Sequence, residues 1–124
     1  MEYLIVYTAG GLLYALLEIV WRGWTHWSMI LCGGVCFTLM YLISMSAMPL
    51  HRKWLLCAAA ITTVEFLTGC LVNLRLGWQV WDYSSVPHNL LGQICPGFTL
   101  LWLVLSIPGV QLCTWLRSLL SRYQ

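Results

Sequence analysis

The side chain best placed for chemistry in this 124-residue chain is a carboxylate inside an apolar run. Glu65 stands about eleven residues into the segment 54–76, which at 1.5 Å per residue is near the middle of a bilayer-spanning helix. An ionised carboxylate at that depth costs several kcal/mol unless it is protonated, paired or in contact with water. Glu65 is therefore expected to face inward. Helical spacing extends its polar face, with Thr62 three residues before it, Gly69 four after and Asn73 eight after. Such a face suits transport, proton relay or catalysis, and it equally suits a structural carboxyl bonded to a neighbouring helix.

Glu18 and Arg22 form a second constellation, four residues apart and so on one helix face. They could pair with each other, or Arg22 could hold an anionic headgroup or carboxylate while Glu18 orients it. The segment 77–95 supplies Asp82 between Trp81 and Tyr83, followed by His88, Asn89, Gln93 and Cys95. Asp82 could complex a cation or anchor the loop to Arg75 or Arg22. Asp82, His88 and Cys95 are the catalytic candidates, as a nucleophile with a base and an acidic orienter. The expected binding set is Glu18, Arg22, Glu65, Asn73, Arg75, Trp81, Asp82, Tyr83, Asn89 and Gln93. No C-x-x-C or H-x-x-x-H pattern occurs, so neither metal nor other cofactor is expected. Cys32, Cys36, Cys57 and Cys113 lie in apolar runs and read as small core filler.

The elements that must position these groups are helices in a membrane. Only 8% of residues are charged while 60% are hydrophobic, which excludes a soluble globule, a disordered tail and a nucleic-acid binder. No Asp, Glu, Lys or Arg falls within residues 23–51 or 83–116, and each gap exceeds the roughly 20 residues that span a bilayer. Four spans are predicted, at about residues 3–21, 27–49, 54–76 and 96–116, with Pro108 expected to kink the last. Glu2 is the only early charge, so the first span is expected to be retained and not cleaved as a signal peptide.

The fold class is all-α, an integral membrane four-helix bundle forming one transmembrane domain. A short re-entrant or interfacial helix is expected between spans three and four, capped by Ser84 or Ser85 and carrying Asn89 and Gln93 on one face. Arg52, Lys53, Arg117 and Arg122 lie on one side of the membrane, Arg22 and Arg75 on the other. That bias predicts a plasma-membrane protein with both termini cytoplasmic. Of the eight tryptophans, Trp21, Trp24, Trp27, Trp54, Trp78, Trp81 and Trp115 fall near span ends, as an aromatic belt requires.

Glu18, Arg22-Gly23, Gly33-Gly34, Glu65, then Trp81-Asp82-Tyr83-Ser84 with Pro87, Asn89, Gly92 and Ile94-Cys95 resemble the pattern of the CmpB-like family. Its members are small multi-spanning bacterial proteins assigned as type IV ABC-transporter permeases, and the likeness covers about residues 14–102. The resemblance implies a transporter or permease component. The only internal connection on the cytoplasmic side, 50–53, is too short to dock a nucleotide-binding subunit directly, and no GxxxxGK[ST] loop occurs. The expected partners are the lipid bilayer and either further copies of the chain or a membrane partner subunit. Two other readings stand beside this one: an enzyme acting on a lipid or isoprenoid headgroup, and a non-catalytic structural or regulatory subunit.

Overall fold

A computed structural model describes residues 2–23, 26–77, 81, 88, 90–92, 94 and 96–122, apart from the side chains of Trp21 and Arg22. Four helices dominate: α1 (Glu2–Arg22), α2 (Trp27–Ser44), α3 (Leu50–Gly69) and α4 (Pro96–Ser121). Each contains a stretch long and apolar enough to cross a membrane, and the described residues include no strand beyond an isolated bridge between Leu90 and Ile94. The chain is thus the expected all-α bundle. Its outer faces carry exposed Leu4, Leu12, Leu16, Leu67, Leu100 and Val104, the arrangement of a bundle whose solvent is hydrocarbon.

Helix ends in such a solvent must satisfy their own backbone groups. At the start of α2 the His26 ring nitrogen Nδ1 accepts from the Ser28 amide at 3.2 Å and lies 2.6 Å from the Ser28 hydroxyl. At its end, Ser44 Oγ donates to the Tyr41 carbonyl and Ser46 Oγ to the Ile43 carbonyl, both at 2.6 Å. Lys53 Nζ then donates to the Ser44 carbonyl at 2.9 Å, placing a cation on the helix C-terminus. These bonds stop α2 at Ser44, short of the expected residue 49. Pro49 is the N-cap of α3, so His51, Arg52 and Lys53 form its first turn and not a linker. Helix α4 runs unbroken through Pro108 and on to Ser121, taking Arg117 into the helix.

Past Gly69 the third helix widens. Residues Cys70–Arg75 form a π-helical turn, in which the Leu76 amide donates to the Leu71 carbonyl five residues back at 3.0 Å. In a regular α-helix Asn73, eight residues beyond Glu65, would have drifted about 80° past it. A π turn advances less per residue, so Asn73 returns toward the face of Glu65, and both are buried.

Packing is uneven. Helix α1 lies chiefly on α2, α2 also touches α3 and α4, and α3 lies on α4. The α1/α2 seam is built from paired glycines, since lipid provides no hydrophobic drive between helices and close backbone approach must supply the attraction. A Cβ on Gly33 would collide with Tyr14 Cβ and sit 3.3 Å from the Gly10 carbonyl oxygen. One on Gly10 would collide with Phe37 Cβ, and one on Gly11 would lie 2.9 Å from the Ile30 carbonyl oxygen.

Beyond the helices, the Leu90 amide donates to the Ile94 carbonyl at 2.9 Å, and His88, Leu91 and Gly92 adopt positive φ. The described residues of this segment, 88, 90–92 and 94, thus form a turn. The beginning of the expected short helix, with Ser84, Ser85 and Pro87, lies outside the described residues, as do Asn89 and Gln93 themselves.

Gly33→Ala tests the seam. The helix-propensity gain of about 1 kcal/mol is opposed by a collision with a Cβ that cannot swing away, and overpacking costs typically 1–3 kcal/mol. Thermal unfolding in detergent, followed by circular dichroism, is expected to show a lowered Tm for Gly33→Ala. Gly97→Ala, whose new methyl meets nothing within 4 Å, is expected to show no loss.

Candidate functional site

Glu65 is 6% exposed and faces α4, where the indole Nε1 of Trp102 donates to its Oε2 at 2.7 Å. One turn earlier, Thr62 Oγ1 donates to Thr99 Oγ1 at 3.3 Å, a second polar tie between the same helices.

Trp102 stacks on Tyr14 of α1, with ring centroids 5.9 Å apart and planes 27° apart. The Tyr14 hydroxyl lies within electrostatic reach of Glu18, one turn further along α1, and of Glu65. From α2, the buried Cys32 and Cys36 lie within reach of Glu65, with Thr68 of α3 beside Cys32. Three helices therefore meet at one site, with Tyr14 of α1 stacked on Trp102 of α4 and Trp102 bonded to Glu65 of α3. Cys32 and Cys36, expected as filler, are buried in the hydrophobic core beside it.

Asn73 and Trp81 close the site on the loop side. Asn73 Oδ1 accepts the Trp81 backbone amide at 3.3 Å, and the buried Trp81 side chain packs with Met29 and Val72, with Tyr14 against them. Trp81 thus sits inside the bundle, not in an interfacial belt. Beside the site, α1 and α4 enclose a cavity of about 240 Å³ lined by Tyr14, Leu17, Glu18, Phe98, Leu101, Trp102 and Leu105. A second cavity of about 280 Å³ shares Tyr14, Leu17, Trp102 and Leu105 and continues along the same groove past Gly10, Gly33 and Gly109 to Leu112.

Four of the expected site residues, Glu18, Glu65, Asn73 and Trp81, are gathered around Tyr14. Arg75 is exposed at the end of the π turn. His88 is exposed and lines a different groove, between α3 and α4, together with Leu55, Ala59, Pro96 and Thr99. Arg22 ends α1 with its side chain outside the description, and Asp82, Tyr83, Asn89, Gln93 and Cys95 lie outside the described residues. Among the described residues no group of three or more His, Cys, Asp or Glu is placed to hold a metal ion.

Residue-type reasoning passed over Tyr14 and Trp102. The available signal was position, since Trp102 is the one tryptophan well inside a predicted span and not near an end.

The family model described as "Putative ABC-transporter type IV" matches residues 2–123. The chain belongs to this family. No curated protein and no solved structure matches the chain. Family membership and the four apolar helices together make it a multi-pass membrane protein of the ABC-transporter type IV family. The buried carboxylate, its indole donor and the flanking groove are features of this family member's own structure.

Removing the indole donor leaves a buried carboxylate with one fewer hydrogen bond, a loss of about 1.5–3 kcal/mol for a bond to a charged group. Trp102→Phe is expected to lower unfolding stability in mixed micelles by about that amount. In a Glu65→Gln background the same substitution is expected to cost less, and a double-mutant cycle reads the difference as the coupling between the two side chains.

Proposed function

We propose that this protein is the membrane component of a transport assembly, with the Glu65 site as the place where its solute or coupling ion is bound. The observation that carries this reading is the buried Glu65 carboxylate, which is held by Trp102 and linked through Tyr14 to Glu18 beside a groove. Ionisable groups within spans are expensive, and they mark substrate or ion paths by default. A purely structural carboxyl needs neither a second acid around the same tyrosine nor a cavity beside it.

Glu18, Glu65, Asn73 and Trp81 form the proposed binding region in this reading. Asn73 acts by holding Trp81 over Tyr14, while Glu65 and Glu18 supply charge. Arg22, Asp82, Tyr83, Asn89 and Gln93 belong to the same end of the bundle by chain position and are proposed to frame its entrance. Arg75 and His88 stand outside the groove. The connection at residues 45–49 is short, so energy coupling is assigned to a membrane partner subunit or to further copies of this chain. Both termini are proposed to face the cytoplasm, placing the Glu18 end of the bundle on the outer side of the plasma membrane.

The test compares cells lacking the gene and complemented with wild type or with Glu65→Gln, matched for protein in the membrane. Untargeted mass spectrometry of their small-molecule content is expected to show at least one solute whose level follows wild type and not Glu65→Gln. Indistinguishable profiles at equal membrane abundance would contradict a transport role.

A further inference from the structure

Sulfur is concentrated on one face of α2. Met29, Cys32, Cys36 and Met40 follow one another at spacings of three, four and four residues, which keeps them within about 80° around the helix and spreads them over about 16 Å of its length. All four are buried. Cys57 of α3 and Cys113 of α4 join Cys32, Cys36 and Met40 in one core cluster, and the described cysteines are all free thiols. A core that needs only volume is filled best by Leu, Ile, Val and Phe, yet six of the fourteen buried hydrophobic residues described here carry sulfur. Two cavities reach the stripe. One of about 420 Å³ lies between α2 and α3 at the loop end of the bundle, lined by Trp27, Ser28, Thr68 and Leu76 and including Cys32. The cavity of about 280 Å³ has Cys36 and Met40 in its wall and continues to Leu112. Cys32 and Cys36, one turn apart and within electrostatic reach of each other, stand between the two.

We propose that Cys32 and Cys36 together bind a soft monovalent metal cation, copper(I), between these two cavities. Polarisable sulfur selects soft cations over magnesium, calcium or manganese. Zinc asks for three or four protein ligands, and no group of three His, Cys, Asp or Glu occurs among the described residues. Copper(I) is satisfied by two sulfurs in line, which a pair of thiols one helical turn apart can offer. Binding breaks one S–H bond. Cys32, with Thr68 beside it, gives its proton to water and forms a thiolate–copper bond, while Cys36 keeps its proton and donates a sulfur lone pair. One cation enters for one proton, so the apolar surroundings receive no net charge. Met29 and Met40, neutral thioethers on either side, are the next donors along the stripe. This inference names the class of cargo for the proposed transport role and rests on that reading for its physiological meaning.

The test offers copper(I), held by bicinchoninate under argon, to the reduced full chain in phosphatidylcholine nanodiscs, with empty nanodiscs as background. Loss of the coloured bicinchoninate complex is expected to show one copper(I) withdrawn per chain. Cys32→Ser and Cys36→Ser keep the side-chain size and remove the soft donor, and each is expected to abolish the withdrawal with helicity and elution volume unchanged. Cys32→Ala and Cys36→Ala, which bury no hydroxyl, are expected to do the same. Cys70→Ser, at a half-buried thiol outside the stripe, is expected to withdraw as much as wild type. X-ray absorption of the loaded wild-type chain, which needs no variant to fold, is expected to show two sulfur neighbours around copper. A copper shell of nitrogen or oxygen, no withdrawal by wild type, or withdrawal indifferent to the changes at Cys32 and Cys36 would overturn the proposal. Loss on Cys57→Ser or Cys113→Ser with Cys32→Ser indifferent would overturn it as well, by moving the metal to the other thiols of the core. Failure here with a Glu65-dependent solute profile in cells would remove copper and keep the transport role. Copper bound as expected, with solute and metal profiles of the cells both unchanged, would do the reverse.

Discussion

One carboxylate sets the terms for this bundle. Glu65 is buried within an apolar span, and a charge there persists only if neighbouring side chains replace hydration. Trp102 supplies the donor at 2.7 Å, and that bond fixes how α4 faces α3. With Trp102 so placed, its ring presents a face to Tyr14, and Tyr14 in turn lies within electrostatic reach of Glu18. The π turn brings Asn73 back to the same side, and Asn73 tethers Trp81 above the site. Each of these steps is a consequence of keeping one acid satisfied in hydrocarbon.

Glycine then decides where helices meet and where they part. Lipid tails are as apolar as leucine, so contact between spans depends on shape and on hydrogen bonds more than on burial. Gly10 and Gly11 against Gly33 and Gly34 draw α1 onto α2. Having committed to α2, α1 stands off from α4, and the groove is the space that remains.

Much of this was legible from residue types and spacing. The four spans follow from the placement of charge, and Glu65 and Asn73 were expected on one inward face, where both are buried. The π turn was not legible, yet it is what corrects the 80° drift that a regular helix implies. Tyr14 and Trp102 were missed because a period of 3.6 residues shows which face of a helix is polar and not which neighbour it meets. Cys32 and Cys36 pack in the hydrophobic core, as a thiol small and apolar enough to act as filler is expected to. His88 was grouped with Glu18 because both belong to the same end of the bundle. The structure separates them around its circumference, with His88 over α3 and α4 and Glu18 between α1 and α4.

The central claim is that the Trp102 indole is hydrogen-bonded to Glu65 inside the bundle, and indole NMR reads that bond most directly. In 15N-labelled protein in nanodiscs, with Trp102→Phe used to assign the resonance, the Trp102 indole proton is expected downfield of the other tryptophans and slow to exchange with solvent. Glu65→Ala should move that resonance upfield and speed its exchange while leaving the remaining indoles in place. A Trp102 indole that exchanges freely, or whose position ignores Glu65→Ala, would contradict the account.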